Sequence, residues 1–379
     1  FYQVNKNNTT PYDMKVEDNI IQDLFFSLIK SSNYIKRRKK IDEFNEENKI
    51  FKKGLSITPV KFGISFTTTH LNQAGSLVHI YTDGSIHLNH GGIEMGQGLM
   101  IKIAQLVARE FGVKLNDIKI TSTNTEKVPN TSASAASATT DLNGAATINA
   151  INSIKKNLNE FIKSFYNYKS DNIIYENNYI IFGNSKILFK EIINNAYMNR
   201  VSLSSTGFYK TPKIHVNKET LKGRPFLYFS YGASVSEVIV DTLTGENKLT
   251  QVDILHDVGK SINPRIDIGQ IEGGFTQGLG WLTTEEISWD KKGLIKTHSP
   301  STYKIPTSSD LPEKFIVNIY KKGFNKENVV NKSKAVGEPP LMLALSVFMA
   351  LKDAIKNEKQ NSKNLKAPAT AENILLNIN

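Results

Sequence analysis

Two apolar periods alternate irregularly along this chain: helical spacing in some stretches, strict alternation in others. Within the polar, charged residues 1–55, Leu24, Phe25 and Leu28 recur at helical spacing and predict a pair of outer helices. Residues 58–90 predict strands. GSLVHIYTDGSIHLNH is a hairpin turning on the pair Asp83-Gly84, with Val78 and Ile80 on one strand and Ile86 and Leu88 on the other. From about Gln97 to Phe111 the period becomes helical, with Leu99, Ile103, Leu106 and Val107 on one face and Gly112 as the stop. From residue 117 the order is strand, loop, helix, and Ala145, Ala146 and Ala150 line that helix, so something packs or binds close to it. Residues 167–190, rich in Asn, Lys and Tyr, read as a surface excursion. SEVIVDTLTGENKLTQVDILHDVG predicts a second strand pair around Gly245. Asn263 as N-cap and Pro264 at N1 open a helix over NPRIDIGQIEGGFTQGLG, and Pro339 and Pro340 start a strongly apolar one. This irregular mixture, without an internal repeat, predicts the α+β class. The expected organisation is a helical lead-in over 1–55, a main domain of two sublobes over 56–355 and a tail over 356–379.

Composition narrows the chemistry. The chain has 379 residues, 39% of them hydrophobic. Mean hydropathy is -0.31, and no apolar run reaches the length of a membrane span. It opens on Phe1 rather than an initiator methionine and lacks the basic-then-apolar order of a secretory signal, which reads as a start inside a longer chain. Cytosol is the expected compartment, with the peroxisome as the alternative, although the ending LLNIN is not a peroxisomal address. The 0 cysteines remove disulfides, thiolate nucleophiles and every thiolate-held iron–sulfur or zinc site. The formal charge of +11 is scattered among Asn and Glu, which reads as solvated surface rather than a nucleic-acid footprint.

Small residues meet a helix start in three segments, 91–98 (GGIEMGQG), 131–140 (TSASAASATT) and 269–280 (GQIEGGFTQGLG). A Gly-rich turn is ordinarily only a turn that needs positive φ. Three of them, carrying Gln97, Ser137, Thr139 and Gln270, point to bare amides and helix ends around a large polar or polyoxo ligand. None fits a phosphate-loop or dinucleotide fingerprint. Glu338 stands just before Pro339 and Pro340, whose fixed φ sets its direction; it is either a capping acid or a carboxylate kept ionised for use as a base. His79, His87 and His90 fall on the hairpin as packing or surface residues, and the seven histidines form no metal-ligand spacing. No GxSxG elbow is present.

The motifs KFGISFT (61–67), LNQAG (71–75), YTDGS (81–85), GGIEMGQGL (91–99), VPNTSASAAS (128–137), DLNG (141–144), STGFYKTP (205–212), GQIEGGFTQGLG (269–280), STYKIP (301–306) and KAVGEPPL (334–341) occur in one order. As a set, the chain resembles the C-terminal part of the molybdenum-cofactor domain of the xanthine dehydrogenase and aldehyde oxidase family. STGFYKTP and STYKIP look more like the xanthine dehydrogenase branch. The resemblance implies molybdenum bound to a molybdopterin dithiolene, with no protein side-chain ligand to the metal. It implies cofactor contacts at Gly96, Gln97 and Gly98, at Ala136, Ser137, Ala138 and Thr139, with Ala136 nearest the metal, and at Gln270. It implies Glu338 as the general base that takes a proton from the oxygen nucleophile at molybdenum, and Phe66 and Thr67 as substrate-pocket residues.

The implied reaction is hydroxylation of a purine, hypoxanthine or xanthine on the way to urate. Aldehyde oxidase-type hydroxylation of aldehydes or N-heterocycles, and an inactive truncated fragment, are the alternative readings. The implied [2Fe–2S] and FAD groups belong to parts outside this cysteine-free chain, with NAD as acceptor and a homodimer as the assembly. Neither a nucleic acid nor a membrane is an expected partner.

Overall fold

The computed structural model describes residues 6–126, 131–135, 137–356 and 364–378. Along the chain come α1 (Ile21–Ser31), α2 (Tyr34–Glu47), β1 (Phe51–Ile64), β2 (Gln73–Ile80), β3 (Ile86–His90), α3 (Leu99–Phe111), β4 (Ile118–Ile120) and α4 (Thr139–Phe165). Then follow β5 (Ile173–Glu176), β6 (Tyr179–Phe182), β7 (Ser185–Leu188), α5 (Phe189–Met198), β8 (Ser204–Lys210) and a small ribbon of β9 (His215–Val216) and β10 (Gly223–Arg224). The last part holds β11 (Tyr228–Asp241), β12 (Asn247–His256), α6 (Pro264–Thr283), β13 (Lys314–Ile319), a 3₁₀ turn (Pro339–Ala344), α7 (Leu345–Ala354) and α8 (Ala371–Ile378). Helices and mixed sheets make the fold α+β, as the periodicity predicts.

Two four-stranded sheets organise the chain. The first runs β1-β11-β12-β13, antiparallel except for the parallel β12–β13 pair. In β11, Phe229, Tyr231, Ala233 and Val235 face α1 and α2, packing on Leu24, Leu28 and Ile41. Ser234 and Ser236 face the other way and share hydrogen bonds with Ser346 of α7. Small residues there let α7 lie close: a Cβ on Gly54 would come 1.9 Å from the Ala350 carbonyl oxygen. Phe275 of α6 and Val347 and Leu351 of α7 complete that core layer.

The second sheet runs β4-β3-β2-β8. Val78 pairs with Leu88 and Ile80 with Ile86, all four buried against α3 and α4. The hairpin turn is larger than the expected two residues. Tyr81 and Ser85 close it, only Gly84 has positive φ, and Gly84 N–H donates to Tyr81 O. One left-handed residue suits a three-residue loop, whereas the type I′ turn that Asp-Gly favours needs two. What approaches the alanine-lined face of α4 is β8: a Cβ on Gly207 would lie 2.0 Å from the Ala146 carbonyl oxygen. Residues 167–190 are more than a surface excursion. They include the β5-β6-β7 sheet, whose Ile180 and Phe182 join the core of α3 and α5, because the apolar alternation of the YIIF strand survives among polar neighbours. Among the described residues, no helix is long and apolar enough to cross a membrane.

Candidate active site between the two sheets

The three small-residue segments and Glu338 meet in one cavity of about 400 Å³. Its walls include Gly96, Gln97, Ser137, Thr139, Gln270 and Glu338, all named from the sequence. Gly98 and Ala138 stand just behind, as the residues at the starts of α3 and α4. Ala136 lies outside the described residues. The cavity gathers helix beginnings: those of α3, α4 and α6, and the 3₁₀ turn after Glu338. Their positive dipole ends favour an anionic or oxygen-rich occupant.

Glu338 enters on the loop that leads into the 3₁₀ turn Pro339–Ala344. Its backbone N–H donates to Ser137 Oγ at 2.7 Å, and its side chain makes no cap hydrogen bond to the turn that follows. It is exposed to the cavity, so of the two readings of this carboxylate the capping acid is not what the geometry builds. Gln270 reaches the Gly96 carbonyl at 3.5 Å, a long contact joining α6 to the glycine turn.

The glycine turn is built differently from its sequence reading. Glu94 accepts hydrogen bonds from the N–H groups of Gly96, Gly98 and Met100. Partial burial opposes its charge, but these amide bonds outweigh the penalty and hold the carboxyl below its ordinary range. Gln97 folds onto its own loop, accepting from Met95 N–H and donating to Ile93 O. The glycines therefore serve the turn first. Gly98 sits at φ 73, and a Cβ there would meet Ile266 at 2.7 Å. Gly96, at φ 100, has nothing within 4 Å of the position a Cβ would take, so this backbone stands open to the cavity.

Phe66 and Thr67 do not line this cavity. They follow β1, where Asn72 clamps the Phe66 backbone by accepting from its N–H and donating to its carbonyl. Ser132 N–H donates to Gln73 O, which brings the small-residue tract beside that corner.

The sequence reading missed the polar floor. Lys102 of α3 pairs with Asp267 of α6 at 2.6 Å, both buried. Its signal was a lysine within the apolar stripe Leu99, Ile103, Leu106. Asp141, in the first turn of α4, accepts from Tyr228 Oη at 2.6 Å. Burial pushes the Asp141 carboxyl up to about 7, against the opposing effects of the Tyr228 hydrogen bond and the Lys102 charge. Lys334 is fully buried between Asp257 at 2.7 Å and Asp18 at 3.3 Å. Replacing Lys102 by methionine leaves the buried Asp267 charge with only the Ser261 hydroxyl as partner and is expected to cost about 3–5 kcal/mol. The double change with Asp267→Leu restores most of that loss. Urea unfolding of the two variants checks this; equal losses would refute the pairing argument.

Among the described residues, no group of three or more His, Cys, Asp or Glu could hold a metal ion. A family described as the molybdopterin cofactor-binding domain matches residues 27–312. The chain belongs to that family. It is 45% identical over 370 residues to the "Xanthine dehydrogenase/oxidase" of Gallus gallus, covering 96% of this chain and 26% of the relative. It is 42% identical over 373 residues to the "Xanthine dehydrogenase" of Dictyostelium discoideum, with the same coverages. The chain thus spans about a quarter of the length of these relatives. A quinoline 2-oxidoreductase from Pseudomonas putida 86 shares the fold at a TM-score of 0.84, with 20% identity, over 100% of this chain and 47% of that one. The CO dehydrogenase of Oligotropha carboxidovorans does so at 0.83, with 20% identity, over 97% and 46%.

A molybdopterin cofactor-binding domain needs room and hydrogen-bond donors. The residues fit this requirement. Gly96 leaves an open cradle, Ser134, Thr139, Thr140 and Gln270 line the cavity with polar side chains, and the Lys102–Asp267 pair lies at its floor.

Proposed function

We propose that this chain is the molybdenum-cofactor module of a hydroxylating oxidoreductase acting on a purine such as hypoxanthine or xanthine. The observation that carries the reading is the convergence of Gly96, Ser137, Thr139, Gln270 and Glu338, from separate segments of the chain, on one cavity ringed by helix starts. The names of relatives 42–45% identical to the chain support the purine as substrate class.

In this reading Gly96, Thr139 and Gln270 hold the cofactor, together with Gln97, Gly98, Ala136, Ser137 and Ala138. When bound, the cofactor supplies the oxygen and takes up the two electrons of the hydroxylation. Glu338 accepts the proton released as that oxygen becomes nucleophilic. Its backbone is fixed by Ser137 and its direction by the proline that follows, which meets the positioning demand on a general base. Phe66 and Thr67 contact the flat heterocycle from the corner that Asn72 braces. Electrons leave through [2Fe–2S] and FAD groups in other parts of the polypeptide or in partner subunits, toward NAD, in a homodimeric enzyme.

The test is molybdenum content and xanthine turnover of the complete polypeptide that carries this chain. Metal with turnover is expected. Metal without xanthine turnover moves the substrate to aldehydes, and a folded protein without metal refutes the reading.

A further inference from the structure

We propose that Tyr228 and Asp141 are positioning residues that clamp the loop bearing Glu338 onto the start of α4, and so set where the Glu338 carboxylate stands. The inference rests on the reading of Glu338 given above. Tyr228 begins β11 in the first sheet, and Asp141 lies in the first turn of α4, which packs on the second. The Tyr228 hydroxyl does two things at once. It donates to Asp141 Oδ2 at 2.6 Å and accepts from the Ala335 N–H at 3.0 Å. Ala335 lies three residues before Glu338 on the same loop.

Both side chains are buried, at 3% exposure for Tyr228 and 8% for Asp141. An ionisable pair in such a place is costly to keep, and an apolar pair would join the sheets as well. What the polar pair adds is direction: the partly buried Ala335 amide donates to the Tyr228 hydroxyl, and that acceptor is itself oriented by Asp141. The same loop is tied at Glu338 by Ser137 Oγ and at Lys334 by Asp257. Gly337 between them leaves little slack, since a Cβ there would lie 3.0 Å from Ser137 Oγ. The Ala335 carbonyl also accepts from Ser230 Oγ at 3.0 Å, so breaking the Tyr228 link frees the amide side of this segment while the other ties remain.

The test uses the complete polypeptide and four variants: Tyr228→Phe, Asp141→Asn, Asp141→Ala and, in parallel, Glu338→Gln. Hydrogen exchange of residues 333–338 is read alongside kcat, KM and molybdenum content. Tyr228→Phe is expected to speed exchange of the Ala335 amide about tenfold while β11 stays protected. It should lower kcat about ten- to a hundredfold, with KM within about threefold of the parent. Asp141→Asn keeps an acceptor oxygen and should leave Ala335 exchange within about threefold of the parent, whereas Asp141→Ala follows Tyr228→Phe. Unchanged Ala335 exchange in Tyr228→Phe and Asp141→Ala overturns the proposal, as does an asparagine that fails to rescue. If Tyr228→Phe does not fold, the Asn and Ala comparison at 141 decides. Should Glu338→Gln keep its turnover, the base assignment falls, while the exchange measurement still tests the clamp.

Discussion

Glutamine in place of Glu338 lowers turnover of the complete polypeptide by about three orders of magnitude, at unchanged molybdenum content. The size follows from what is lost: glutamine has the same shape but cannot accept the proton. Folding is spared for reasons visible in the structure. The backbone N–H partner, Ser137 Oγ, is untouched by the change, and glutamine keeps the shape of the side chain. A substitution at so exposed a carboxylate shifts stability by about 0.5 kcal/mol or less. The loss therefore falls on kcat, with KM nearly constant, as for an interaction made only in the transition state. Turnover within about tenfold of the parent would remove Glu338 as the base.

Acid destabilises the fold well before the bulk of its carboxylates titrate. Burial lowers the pKa of His90 and of His256 to about 4. Unfolded, each binds a proton near its ordinary value of 6.5. Between these values the unfolded chain holds more protons, so stability falls as pH drops through the window, by about 3 kcal/mol per histidine. Asp141 works in the opposite sense. Its folded pKa of about 7 lies above its ordinary 3.8, so here the native state holds more protons. Its neutral form favours the fold at low pH, and that benefit, about 4 kcal/mol, is lost as pH rises from about 4 through 7. The three groups partly cancel between pH 4 and 7. Asp141→Asn removes one side of the balance and makes the acid loss steeper. Urea midpoints at pH 7, 5.5 and 4.5 for parent and variant measure it. A variant whose midpoint is flat over that range would refute the assignment of the histidines.

Much of the secondary structure was legible from the chain alone, and for local reasons. Val78, Ile80, Ile86 and Leu88 alternate because one face of a hairpin is buried. Leu99, Ile103, Leu106 and Val107 recur because one stripe of α3 is buried, and Gly112 ends it at φ 64. Asn263 caps α6 by accepting from Ile266 N–H. The motif order carried the family and, through the resemblance, the candidate roles of Gly96 and Glu338, while residue type alone pointed to Ser137, Thr139 and Gln270. These are short-range properties, written in spacing and side-chain type.

What the tertiary structure alone decided depends on residues far apart in sequence. Lys102 and Asp267 are 165 positions apart, and nothing in either neighbourhood names the other. Tyr228 and Asp141 are 87 apart. Burial makes each of these pairs matter, because a polar group removed from water must find its partner wherever the chain has been folded to bring one. The glycine turn shows the same limit in reverse. Its composition announced open backbone, but Glu94 takes the N–H groups of Gly96, Gly98 and Met100, and only packing shows which glycine, Gly96, still faces the cavity.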